Sequence, residues 1–151
     1  MAKRFLLIGA AFFMMFFVAC ATVEVTVPQG FALVEGGERF FAVSPEGLPF
    51  RVVMEEHYPR QTVEFWSEAL KRQFLDEGYH LRTEGEFFDC PAGRGFFIEW
   101  NVPYQGETFV YMTAVVPAEK VLYLAEAAAE HELYAARREA LVESLKTITG
   151  K

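Results

Sequence analysis

The chain of 151 residues predicts an α+β domain, in which two helices pack on a mostly antiparallel sheet of about six to seven strands. Three observations carry that expectation. Short apolar runs rich in valine and aromatics recur between Gly and Pro clusters, as hairpin-linked strands do. Two other segments place apolar residues at spacings of three and four, one face of a helix. The resulting order is three strands, helix, four strands, helix, with no internal repeat.

Each element has its own signal. Phe31 to Val34 precedes Gly36-Gly37, Arg39 to Val43 precedes Ser44-Pro45-Glu46-Gly47, and Phe50 to Glu55 ends near Pro59. These are the first three strands. Val63, Trp66, Leu70 and Phe74 then mark a helix, with Thr62 as N-cap and Gly78 as stop. Phe65 falls off that stripe. Tyr79 to Phe88 reads as one strand leading into a turn-rich stretch around Pro91 and Gly93. Phe96, Ile98, Trp100 and Val102 alternate with Phe97, Glu99 and Asn101. Thr108 to Val116 and Val121 to Glu126 complete an antiparallel meander of four strands. Leu133, Tyr134, Leu141, Leu145 and Ile148 stripe a second helix from about Glu130 to Thr147. Arg137 lies inside that stripe, with a stem that packs on the core and a head that reaches water, a carboxylate or a partner.

The first residues carry a different signal. Lys3 and Arg4 precede an apolar run from Phe5 to Ala19, and Cys20 follows it. A run of this kind is short of the roughly 20 residues that span a bilayer as a helix, and it fits a secretory signal. With Ala19 before it, Cys20 resembles the lipobox cysteine of bacterial lipoproteins, although Phe17 stands where that family usually has Leu. The resemblance implies cleavage before Cys20, lipidation of that residue and stable anchoring by several acyl chains. Ala21 in the following position implies the periplasmic face of the outer membrane, if the host has one, and otherwise the cell membrane. The expected organisation is a signal peptide over 1–19, a short tether over 20–29 and a single domain over 30–149.

Charge narrows the partners. The chain has 14 basic and 21 acidic residues. Loss of Lys3 and Arg4 with the signal leaves 12 against 21, a side-chain charge of −9. Such a surface repels phosphate backbones, so nucleic acid is not an expected partner. The membrane is expected to be met through the lipid, and an envelope protein through the domain. Lipidation of Cys20 would leave Cys90 as the single thiol, either shielded in its turn or open to intermolecular pairing.

The stretches 42–47 (Ala-Val-Ser-Pro-Glu-Gly), 65–70 (Phe-Trp-Ser-Glu-Ala-Leu) and 77–79 (Glu-Gly-Tyr) resemble a group of small exported bacterial proteins of unassigned role. That resemblance covers most of residues 30 to 148. Element order and size also resemble the Mog1/PsbP-type α/β sandwich. Proteins of that fold act mainly as binding or assembly modules without a shared catalytic set, which is what the resemblance implies here.

Catalytic motifs offer little. His57, His80 and His131 lack zinc-ligand spacing, and His57 beside Glu55-Glu56 reads mainly as a solvated strand end. Glu84 and Glu86 share a face if their strand is extended. Gly93-Arg94-Gly95 lacks the lysine and helix of a phosphate loop. No cofactor is expected. The remaining hint is an aromatic surplus in the meander, including Phe96, Phe97, Trp100, Tyr104, Phe109, Tyr111 and Tyr123. Either helices cover both sheet faces, or some of these rings form a partner surface. The candidate surface is Phe97, Glu99, Asn101, Tyr111 and Arg137. The leading expectation is a non-catalytic binding or assembly module tethered in the envelope. The alternatives are a small envelope enzyme, hydrolytic or metal-dependent, and a carrier of a hydrophobic ligand.

Overall fold

A computed structural model describes residues 22–150. The signal segment and Cys20 lie outside the described residues. In chain order the elements are β1 (Val23–Glu24), β2 (Ala32–Glu35), β3 (Arg39–Val43), β4 (Pro49–Glu56), α1 (Val63–Asp76), β5 (His80–Leu81), β6 (Glu86–Cys90), β7 (Gly93–Tyr104), β8 (Glu107–Pro117), β9 (Val121–Glu130), α2 (His131–Leu145) and β10 (Thr149–Gly150). The main sheet has eight strands in the order β2-β3-β4-β9-β8-β7-β5, and β6 also pairs with β7. All its pairings are antiparallel.

The α+β expectation holds, with eight strands in the main sheet against the six to seven expected, and β1 and β10 pair apart from it. Tyr79 to Phe88 is not continuous. Gly85, at φ 86°, turns the chain between β5 and β6, and a Cβ there would collide with the Phe96 ring. Glu84 and Glu86 therefore do not flank a common extended segment. The β7–β8 hairpin closes through Gln105 and Gly106, both at positive φ (50° and 84°), a type I′ turn that suits the twist of its strands.

Residues 22–29 are also more than a tether. β1 pairs with β10, Val23 is 4% exposed, and Val25 and Val27 pack against the core. The Thr26 N–H donates to Thr147 Oγ1 (2.9 Å), and Ser144 Oγ donates to the Thr26 carbonyl (2.6 Å). The segment is a strap along α2.

Strand alternation divides the core into two layers. On one face Phe50, Val52, Phe97, Met112, Tyr123 and Ala125 pack with Tyr134, Leu141 and Leu145 of α2. On the other face Phe96, Ile98, Trp100, Val115 and Leu122 pack with Val63, Trp66, Leu70 and Phe74 of α1. The helices thus lie on opposite faces of the sheet. Thr62 caps α1 by accepting from the Phe65 N–H (3.3 Å). Among the described residues, no helix is long and apolar enough to cross a membrane.

Candidate functional site

The five residues of the expected surface do not form one. Phe97 and Glu99 are 2% and 1% exposed and lie beneath α2. Glu99 accepts from the Tyr134 hydroxyl (2.6 Å) and from Arg138 Nε (2.6 Å). Arg138 also reaches Glu86 at 3.3 Å and stands over the Phe97 ring. Burial first, and the bond to Glu99 second, push the Tyr134 phenol far above its ordinary range. A buried carboxylate held by two donors joins α2 to the sheet, and its surroundings leave no room for a partner. Asn101, half-buried on the same face, accepts from Arg82 Nη1 (3.3 Å), which also contacts His131 Nδ1 (3.0 Å). Arg137 donates to Glu46 (2.7 Å) and lies against Gly30, just after the strap. Tyr111 pairs with Trp100, so it faces the α1 side, away from Phe97, Glu99 and Asn101. Period-two alternation separates it from the three strand residues, and Arg137 sits on α2 on the opposite face.

His57 also departs from expectation. It is buried at 7% exposure, and its ring joins three segments. Nδ1 lies 2.6 Å from the Ala118 carbonyl. Nε2 lies 3.1 Å from both the Gln61 N–H and the Trp66 indole N–H. Two donors at Nε2 and an acceptor at Nδ1 select the neutral tautomer protonated at Nδ1. The ring is a structural clamp between β4, the β8–β9 turn and α1. Cys90 is half-buried with Sγ 3.2 Å from the Gly93 carbonyl, and burial raises its pKa, away from a reactive thiolate. Among the described residues, no three His, Cys, Asp or Glu side chains gather as a metal site.

The aromatic surplus has a different outlet. α1 packs on β7 and β8 and reaches β9 at Leu122 and Leu124, while Phe41 of β3, Arg51 of β4 and Glu126 and Ala128 of β9 lie beside the helix rather than beneath it. Where the helix ends, a groove of about 550 Å³ opens between Phe74, Tyr79, Tyr104, Phe109 and Tyr111, with the small Ala128 among its lining. Phe74 stacks on Tyr79 at 5.1 Å, and Tyr111 meets both rings nearly edge-on, at 5.6 and 6.2 Å. Tyr104 sets its ring against Phe109 at 5.7 Å and is 58% exposed. Tyr111 and Ala128 continue into an adjoining recess of about 310 Å³ that includes Phe41, Arg51 and Glu126. The Tyr111 hydroxyl donates to Glu126 Oε2 (2.5 Å), and Arg51 pairs with the other oxygen of Glu126. Burial raises the Tyr111 phenol above its ordinary pKa, so it stays a donor. The two recesses form one trough with aromatic walls.

Tyr104, Phe109 and Tyr111 are legible in the sequence as aromatics, and Phe74 as part of the helix stripe, but nothing local marks Phe41, Arg51, Glu77 and Glu126 as their neighbours. Alternation from Trp100 to Tyr104 and from Phe109 to Tyr111 was the available signal for a shared face.

No protein-family model matches this chain, and no curated protein matches it by sequence. Solved structures do match. LpqN of Mycobacterium tuberculosis, described as involved in cell envelope biogenesis, aligns with TM-score 0.61 at 14% identity over 85% of this chain and 84% of its own. Cyanobacterial PsbP from Synechocystis sp. PCC 6803 aligns with TM-score 0.56 at 9% identity, covering 88% of this chain and 95% of its own. The Saccharomyces cerevisiae Ran-binding protein Mog1p gives TM-score 0.53 at 11% identity, with 84% and 89% covered. The fold is the Mog1/PsbP-type α/β sandwich. At these identities the Mog1/PsbP likeness is one of architecture, and the trough must be read from its own residues.

Proposed function

We propose that this chain is an exported, lipid-anchored binding module of the bacterial envelope, and that the aromatic trough is where it holds a protein partner. The reading rests on the location of the trough relative to the chain's entry. The described chain enters at Val23, which bridges to Gly37 and pairs with Gly150. Gly150 lies against the Tyr123 hydroxyl, and Tyr123 pairs with Val116 of β8. Phe109, at the trough, is seven residues away along β8, roughly 23 Å at about 3.3 Å per residue. A lipid on Cys20, only Ala21 removed from Thr22, would hold the entry end at the bilayer and turn the trough outward. Tethering there would raise the effective concentration of the trough toward envelope partners. The shared fold with LpqN, a protein described as involved in cell envelope biogenesis, agrees with this setting.

The test has two arms. Metabolic fatty-acid labelling should mark the wild-type chain and not Cys20→Ala. Partners recovered from detergent-solubilised membranes should be retained by Phe65→Ala, a change on an exposed ring outside the trough, and lost with Tyr104→Ala. Retention of every partner by Tyr104→Ala would remove the trough from the reading.

A further inference from the structure

We infer that the trough takes a basic, arginine- or lysine-bearing extended segment of its protein partner. The inference deepens the binding reading above and rests on it. Of the residues lining the 550 Å³ groove, Glu77 alone carries a charge. Its neighbours on the same face repeat that sign. Glu107 is cross-strand from Tyr104, and Glu130 is cross-strand from Phe109. Arg51, the basic side chain in the adjoining recess, already pairs with Glu126.

The helix end adds to the same field. The C-terminus of α1 carries the negative end of its dipole, where a basic side chain is stabilising. The last turn of α1 has none, and Asp76 and Glu77 stand there instead. An incoming cation supplies the charge this end lacks. The aromatic walls work in the same direction, because the face of a tyrosine or phenylalanine ring attracts a cation. Tyr111 is inclined at 66° and 67° to Phe74 and Tyr79, which stack on each other, so the corner between Tyr111 and that stack lets more than one ring meet a single guanidinium or ammonium group. The trough is open and runs on past Tyr111 toward Pro49 and Phe41, a shape that receives consecutive side chains of an extended segment.

The probe is a fluorescein-labelled pentapeptide alternating glycine and arginine, titrated against the full chain purified in detergent. Its counterpart with glutamate for arginine is the control. The arginine peptide should bind at least about tenfold more tightly than the control and weaken as salt rises. Glu77→Gln should weaken it by about threefold to fivefold, the upper part of the range of an exposed ion pair. Tyr104→Ala should weaken it by about threefold or more, through the lost ring face. Equal binding of the two peptides, or unchanged binding in both variants, overturns the inference. A photo-reactive residue at position 104, in cells producing the full chain, separates this inference from the binding reading. Cross-links to a basic segment support both. Cross-links to an acidic or uncharged segment overturn the cationic partner and keep the trough as a docking site. No cross-link overturns both.

Discussion

At the scale of single residues, hydrogen-bond satisfaction decides which polar groups are structural. His57 shows this best, because its ring answers the Ala118 carbonyl, the Gln61 N–H and the Trp66 indole at once. Removing it leaves three partly buried hydrogen bonds unmade, each worth roughly 1 kcal/mol. His57→Ala is therefore expected to lower stability by about 2–3 kcal/mol in urea unfolding, with the slope unchanged. A solvated His57 would give no measurable change. Glu46 offers a second residue-level check. The Ser44 hydroxyl first, and Arg137 second, hold its carboxyl down from 4.5 to about 2. A depressed carboxylate contributes stability that is present above its unfolded value and lost as pH falls through its folded one. That window runs here from pH 4.5 down to about 2. A carboxyl NMR titration should find Glu46 near the lower end. Ser44→Ala should raise the midpoint more than Arg137→Ala does. The reverse order would contradict the assigned causes. The pairs His57–Ala118 and Glu46–Arg137 meet only through the fold; the sequence offers a carboxylate for the Arg137 head without saying which one.

At the scale of elements, local pattern was legible where a period ran long enough. The stripe through Val63, Trp66, Leu70 and Phe74 announced α1, and alternation from Phe96 to Val102 announced the centre of β7. Two places escaped for physical reasons. Gly85 breaks what looks like one strand, because the Phe96 ring occupies the space of a side chain there. The strap fails as a tether because its partner, β10, is two residues long and carries no period of its own. The strap gives a sharp prediction. Val23→Ala removes two methyl groups from a site 4% exposed and should cost about 1–2 kcal/mol by chemical denaturation. In a free tether the same change would cost nothing.

At the scale of the whole molecule, the sandwich explains both why five candidate residues scattered and why the trough exists. The class and the order of elements could be read from the chain, because strand and helix periods are local. Which residues share a face depends on register, and how much sheet a helix covers depends on where it packs. Those are properties of the assembled layers. α1 covers β7, β8 and the Leu122–Leu124 end of β9, and the aromatics beside its end become a wall because the recess over Arg51, Glu126 and Ala128 is lined by strand residues rather than by the helix. The same assembly sets the expected orientation at a membrane. The β8–β9 turn, with Lys120, shares the end of the sheet where Val23 enters, and the Gln105–Gly106 turn is at the other end. If Cys20 carries lipid, the packed strap leaves little slack, so the two ends should report different depths. Fluorophores placed singly at positions 120 and 104, in a Cys90→Ser background, can be compared in vesicles doped with a headgroup quencher. Quenching should be strong at 120 and weak at 104. Removing lipid with Cys20→Ala should abolish both. Equal quenching at the two positions would mean that the domain lies on its side or swings freely, and the trough would then lose its outward aim.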